Sequence, residues 1–205
     1  MHTIDAQKLS AAEAYALLVG IVVPRPIAWI TTLDREMRVN AAPFSCYTFV
    51  CNQPPMLAVN LGRRDGGLKD TAQNIRERGT FVVNVVTEEL IEPMHMSSFE
   101  FPAEVSEPEA LGIALAPSRL VEPPRIAVSP VSLECRLHQV VELGEQKSAL
   151  VIGEVVVFHI AEGIYANGRI DIRRFRPLAR LGGPNYARLG EIITMPPAKA
   201  MQPAR

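Results

Sequence analysis

Three short stretches carry side chains suited to holding a flat, phosphate-bearing ligand. Pro24-Arg25-Pro26-Ile27-Ala28-Trp29-Ile30-Thr31-Thr32 sets a guanidinium at the rigid start of a strand and two hydroxyls at its far end. Asn40-Ala41-Ala42-Pro43-Phe44-Ser45 offers small residues that let a planar ring approach the backbone, whose N–H groups can face ring heteroatoms. Lys69-Asp70-Thr71 brings a cation and a hydroxyl to the start of a helix-forming run, where unpaired N–H groups and the helix dipole favour a phosphate. Each stretch also has a plainer reading, Lys69 and Thr71 as an ordinary helix cap and Arg25 as half of a surface ion pair.

Other chemistries lose their support. The chain has no G-x-x-x-x-G-K-[ST] loop, no G-x-G-x-x-G after a strand, no H-E-x-x-H and no G-x-S-x-G, which speaks against phosphate-loop, Rossmann, zincin and α/β-hydrolase sites. His2, His95, His138 and His159 lack metal-ligand spacing, and Met94-His95-Met96 in a proline-rich loop reads as packing. Cys46, Cys51 and Cys135 form no C-x-x-C pair and read as small buried hydrophobes. The 205 residues are 48% apolar and 21% charged with a formal charge of -1, so no global field draws the chain to nucleic acid or an anionic membrane. No apolar run reaches the roughly 20 residues that cross a bilayer. The first residues, with Asp5 and Glu13, do not read as a signal peptide, so a cytoplasmic location is expected.

The elements that must position these residues are legible in the pattern. Ser10-Ala11-Ala12-Glu13 matches a capping box and opens a short helix. Residues 27–33 read as a strand, 37–41 as its hairpin partner after Asp34-Arg35-Glu36, and 56–61 and 80–86 as short apolar strands. Residues 70–78 form an amphipathic helix, capped by Asp70 or Thr71 and stopped at Gly79. Seven prolines between positions 93 and 130 allow short helical turns at most. Residues 131–143 alternate apolar and polar as a half-buried strand does, with Gly144 turning the chain. Residues 149–161, bent at Gly153, are apolar on both faces and suit a central strand or one buried against a partner subunit, which motivates a homodimer. Strands without regular βαβ alternation make a small antiparallel barrel with peripheral helices the economical fold, in one domain with a core of residues 10–190. The proline-bearing tail from Met195 is expected to be extended, disordered or reaching onto another subunit.

The ordered set P-R-P-I-A-W-I-T-T, V-N-A-A-P-F-S, P-P-M-L-A-V-N, K-D-T-A-Q-N-I, F-V-V-N-V-V, S-P-V-S-L-E-C and A-R-L-G-G-P-N-Y resembles the flavin reductase-like, FMN-binding split-barrel family, within it the flavoredoxin-like branch. The resemblance implies a mainly β fold, a six-stranded antiparallel split β-barrel with peripheral short helices. It also implies a homodimer with an FMN at each of two sites across the interface. The implied FMN contacts are Arg25, Trp29, Thr31 and Thr32 in the first strand, Asn40, Ala42, Pro43, Phe44 and Ser45 in the loop after its partner, and Asn60, Lys69, Asp70 and Thr71. Thr31, Lys69 and Thr71 fall to the phosphate side and residues 42–45 to the ring edge, with Arg25 the candidate cation near the pyrimidine. The family's hairpin glycine is replaced by Arg35-Glu36-Met37. Three functions stay open at this point: an FMN oxidoreductase or flavin reductase using NADH or NADPH, an FMN electron relay without a nicotinamide site, and an oxidase of the pyridoxamine-phosphate type. None requires a catalytic acid or base from the protein, because the flavin carries the reaction.

Overall fold

The structure is a computed structural model that describes residues 1–63 and 67–196. Seven strands form its main sheet: β1 (Ala28–Leu33), β2 (Val39–Phe44), β3 (Tyr47–Asn52), β4 (Pro55–Asn60), β5 (Thr80–Val85), β6 (Val131–Leu143) and β7 (Ser148–Ile160). All pairings are antiparallel, in the spatial order β2-β1-β5-β6-β7-β4-β3. The strands at the two ends of that order, β2 and β3, are joined by Ser45 and Cys46 alone, so the sheet has to curl until its edges meet at this corner. That is a barrel split at one seam. Among the described residues its α-helices are α1 (Ala11–Ile21), α2 (Asp70–Arg78), α3 (Ile91–Met96), α4 (Glu107–Ala110) and α5 (Ile172–Phe175). Among the described residues, no helix is long and apolar enough to cross a membrane.

Local chemistry sets most of these boundaries. Ser10 Oγ accepts the Glu13 N–H while the Glu13 carboxylate accepts the Ser10 N–H, starting α1. Gly79, at φ +70°, ends α2 in the left-handed conformation that glycine takes without strain. The start of α2 differs from expectation: Lys69 is the N-cap and no side chain caps it, because Thr71 Oγ1 is turned inward. The first hairpin also shifts. Asp34 accepts the Arg38 N–H (2.8 Å) and pairs with Arg38 Nε (2.6 Å), so residues 34–38 stay in the turn and β2 begins at Val39. Met37 occupies φ +65° at the place of the missing glycine. Residues 42–44, expected in a loop, continue β2, and β3 is an additional strand, which makes seven where six were expected.

Because side chains alternate across a strand, β1 serves two cores. Ala28 and Ile30 join Phe44, Val59, Phe81 and Val83 in the barrel interior, against Ala72 and Ile75 of α2. Trp29 faces the other way, packed with Val86, Met94, Ile126 and Leu178 beneath the proline-rich excursion, and its Nε1 donates to Ser97 Oγ at 2.9 Å. Burying each such side chain contributes about 1.5–3 kcal/mol. Glu134 on β6 pins the excursion: though fully buried, it accepts the N–H groups of Arg119 and Leu120 (both 2.6 Å) and Val121 (3.2 Å), and lies 2.6 Å from His159 Nε2. Burial pushes its carboxyl up, but the His159 and backbone hydrogen bonds outweigh burial and hold it below the ordinary range. Cys135 is buried as expected, whereas Cys51 is half-buried and Cys46 is exposed at the seam. Beyond Pro196 the tail lies outside the described residues.

The bend expected at Gly153 is a register shift in the β6–β7 ladder, and a Cβ there would lie 2.5 Å from Phe81 Cζ in the barrel core. Gly153→Ala is expected to lower the unfolding free energy by about 1–3 kcal/mol, through overpacking. Combined with Phe81→Leu the loss should be smaller than the sum of the single losses. Urea denaturation checks both, and an unshifted midpoint for Gly153→Ala would contradict the close approach.

Candidate functional site

Arg25 sits at the start of the site and is 8% exposed. Its Nη1 donates to the carbonyls of Val19 (2.8 Å) and Val22 (2.6 Å) at the end of α1, and Nη2 donates to Leu181 O (2.9 Å). Nε approaches Ser45 Oγ at 3.4 Å. The surface ion pair is therefore not what forms: the guanidinium binds helix, barrel seam and C-terminal segment together through backbone oxygens. Backbone pairing beside it, Arg25↔Arg180 and then Arg180↔Tyr186, builds a small three-stranded wall.

A second network lies on the α2 side. Asn40 Oδ1 accepts Thr71 Oγ1 (2.8 Å) and Thr32 Oγ1 (3.3 Å), and Thr32 accepts Asn74 Nδ2 (3.0 Å). Asn40 Nδ2 donates to Glu107 Oε1 (2.7 Å), whose other oxygen accepts the Ala41 N–H (3.0 Å). Burial pushes the Glu107 carboxyl above its ordinary value, and Asp70 adds to the shift, while the Ala41 and Asn40 hydrogen bonds oppose it. The network fixes the start of α2 against β2.

Between the two networks runs a cleft with two compartments that share Pro43, Phe44, Lys69 and Ser98. The inner compartment includes Asn40, Ala42, Asp70, Thr71 and Glu107. The outer one, about 460 Å³, includes Arg25, Ser45, Arg180, Tyr186 and Tyr15. Lys69 Nζ stands 5.3 Å from the centre of the Phe44 ring at the shared wall. Arg25, Asn40, Ala42, Pro43, Phe44, Ser45, Lys69, Asp70 and Thr71 thus meet around one cleft, whereas four other candidates do not line it. Trp29 is closed in its own core, and Thr32 lies under Asn40. Asn60 is held at the β4 end by the Gly62 N–H and Ser148 Oγ. Thr31 is fully buried and donates to Pro124 O (2.5 Å), on the face of β1 opposite Thr32 and Thr71. Grouping Thr31 with Lys69 and Thr71 on a phosphate is corrected accordingly, since adjacent strand residues point to opposite faces.

Glu107, Arg180 and Tyr186 had no assigned role in the sequence reading. Arg180 and Tyr186 stand in the quoted A-R-L-G-G-P-N-Y motif, but only the pairing with Arg25 shows that they face the cleft. Glu107 follows Ser106, whose Oγ bonds Val39 O at 2.8 Å, and had no readable signal beyond a short helix start.

The flavin reductase-like domain model matches residues 20–178. The chain belongs to the flavin reductase-like family. It is 40% identical to the uncharacterized protein BH2278 of Halalkalibacterium halodurans over 94% of both chains. Among solved structures it is similar to nitrilotriacetate monooxygenase component B from Bacillus cereus, with 34% identity, a TM-score of 0.92 and coverage of 95% of this chain and 98% of that one. It is likewise similar to the 2-nitrobenzoate 2-nitroreductase NbaA of Pseudomonas fluorescens, with 34% identity, a TM-score of 0.89 and 99% coverage of each. This flavin reductase-like chain has the split barrel expected of the family, with one more strand in the sheet.

The raised Glu107 carboxyl has a defined thermodynamic sign. A folded-state pKa above the unfolded one means that the native state holds the proton more tightly, so this group's contribution is present at low pH and lost as pH rises through the raised value. The unfolding free energy of the natural protein minus that of Glu107→Gln is expected to fall between pH 4 and pH 7, measured by urea denaturation across that range. A flat or rising difference would contradict the burial argument.

Proposed function

We propose that the protein is an FMN-binding oxidoreductase that uses NADH or NADPH as electron donor, working as a homodimer. The observation that carries this is the cleft itself, where an apolar wall of Pro43 and Phe44 and the small Ala42 lie between a helix start bearing Lys69 and a cationic outer compartment. These residues fit a flat ring with a phosphate tail. Lys69 and the N–H groups of Asp70 and Thr71 at the start of α2 would hold the phosphate, while the next N–H, of Ala72, already bonds the Lys69 carbonyl. Thr71 serves through its backbone, because its hydroxyl is committed to Asn40. The edge of β2 from Ala42 to Ser45 would face the ring. Bound FMN would supply a ring able to take a hydride at N5. The residues around it orient that ring, exclude water from its buried edge and leave the Arg180 and Tyr186 side of the outer compartment open for a second molecule. The monooxygenase component and the nitroreductase to which the chain is similar support redox chemistry with a partner substrate.

The homodimer rests on apolar surface. None of the eleven residues of α1 is buried, although it carries Leu18 and Ile21 at 60% and 73% exposure, and Phe49 on edge strand β3 is 82% exposed. A second copy covering both would require an interface of roughly 2,000 Å² or more.

Titration should give tighter binding of FMN than of riboflavin, and Lys69→Ala should weaken FMN by about 1.5–3 kcal/mol, the scale of a charge-assisted hydrogen bond. Anaerobic NADH or NADPH should then bleach the bound flavin, and sedimentation should show a dimer at micromolar protein. Equal affinity for the two flavins would overturn the phosphate placement, and a stable monomer that holds FMN would overturn the dimer. FMN binding without bleaching by either nucleotide would favour the electron relay.

A further inference from the structure

The wall of the outer compartment that lies away from Ala42–Ser45 carries a charge pattern of its own. Arg180 Nη1 donates to the Tyr186 phenol oxygen at 2.5 Å, and its guanidinium carbon lies 4.7 Å from the centre of the same ring, so Tyr186 holds the fork through both its hydroxyl and its ring. The phenol is fixed from the other side by His95 Nδ1 at 2.9 Å. Among the described residues, no carboxylate comes within ion-pair distance of Arg180 or Arg25, and none lines this compartment. A guanidinium has five N–H donors. Among the described residues, four hydrogen bonds engage the Arg25 guanidinium and one engages that of Arg180, which leaves most of the Arg180 fork for a ligand. Two half-buried or buried cations without counter-charge, walled by the rings of Tyr15, Phe44 and Tyr186, favour a planar ligand bearing one small oxyanion.

We propose that this compartment is a subsite for the carboxylate of a small aromatic acid, with Arg180 as the group that grips it and Tyr186 as the positioning residue that aims the fork. A planar carboxylate matches a single guanidinium fork through two parallel hydrogen bonds, and the aromatic side chains of Tyr15, Phe44 and Tyr186 in the lining favour a flat apolar body behind it. The acid's role as redox partner of the flavin rests on the function proposed above, whereas its binding does not.

Calorimetric titration of the FMN-loaded protein with benzoate and with its uncharged counterpart benzamide tests the subsite. Benzoate is expected to bind saturably and at least tenfold more tightly than benzamide. Arg180→Met should abolish that preference, and Tyr186→Phe, which keeps the ring under the guanidinium, should reduce it severalfold. Equal binding of the two ligands, no saturable benzoate binding, or a preference that survives in both variants would overturn the proposal. Displacement of benzoate by inorganic phosphate at equal concentration would overturn the aromatic-acid assignment in favour of a general oxyanion site. Should the protein fail to take up FMN yet still prefer benzoate, the flavin reading fails and the subsite stands.

Discussion

The guanidinium of Arg25 is the interaction on which the cleft depends. The last carbonyls of a helix have no partner of their own, and α1 ends with its backbone directed at the barrel seam. Arg25 satisfies Val19 and Val22 there, reaches Leu181 from the far end of the chain, and touches Ser45 at the corner where the sheet edges meet. A hydrogen bond to a charged group contributes about 1.5–3 kcal/mol, and three backbone oxygens lose their partner if this side chain is removed. Lysine has a single ammonium and no fork with which to span three carbonyls in different directions. One residue thereby sets the positions of three segments that are distant in sequence and form one side of the cleft.

The two compartments divide the electrostatic work. On the α2 side, Glu107 is held by the Asn40 amide and the Ala41 N–H, and Asp70 stands in the first turn of α2 where the helix dipole favours it, so the polar groups there mostly hold one another in place. The side bounded by Arg25 and Arg180 has no carboxylate among its lining residues. A ligand with charge at one end and a flat apolar body meets complementary surfaces in both directions from the Phe44 wall. The barrel contributes rigidity rather than reacting groups, as expected where a cofactor performs the chemistry.

Local signals in the sequence were sufficient where the physics is local. The Ser10–Glu13 capping box, the stop at Gly79 and the strand period of β6 are each set by neighbours a few residues away and are readable. The open polar face expected of a half-buried β6 is absent at its start, where Ser132 and Glu134 are buried and held by Asn84 and by the backbone of Arg119 and Leu120. Most of the candidate ligand residues were readable too, because they lie on consecutive positions of β2 and the start of α2. What could not be read depends on distant partners. β3 was missed because the aromatic and branched residues of Tyr47–Asn52 are largely exposed and lack the alternation that a buried face imposes. Strand alternation alone separates Thr31 from Thr32, but the buried carbonyl of Pro124 that receives the Thr31 hydroxyl comes from 93 positions away and leaves no local trace. Arg180 acquires meaning only through its pairing with Arg25 across the length of the chain, and Tyr186 through its pairing with Arg180.

The central claim, that one cleft between the Arg25 clamp and the start of α2 holds the flavin, is tested most directly by a crystal structure of the protein grown with FMN. The account predicts density for the ring along Ala42–Ser45 beside Phe44, with the phosphate at Lys69 and the first turn of α2. Density for the ring elsewhere on the barrel, or a phosphate bound away from α2, would contradict it.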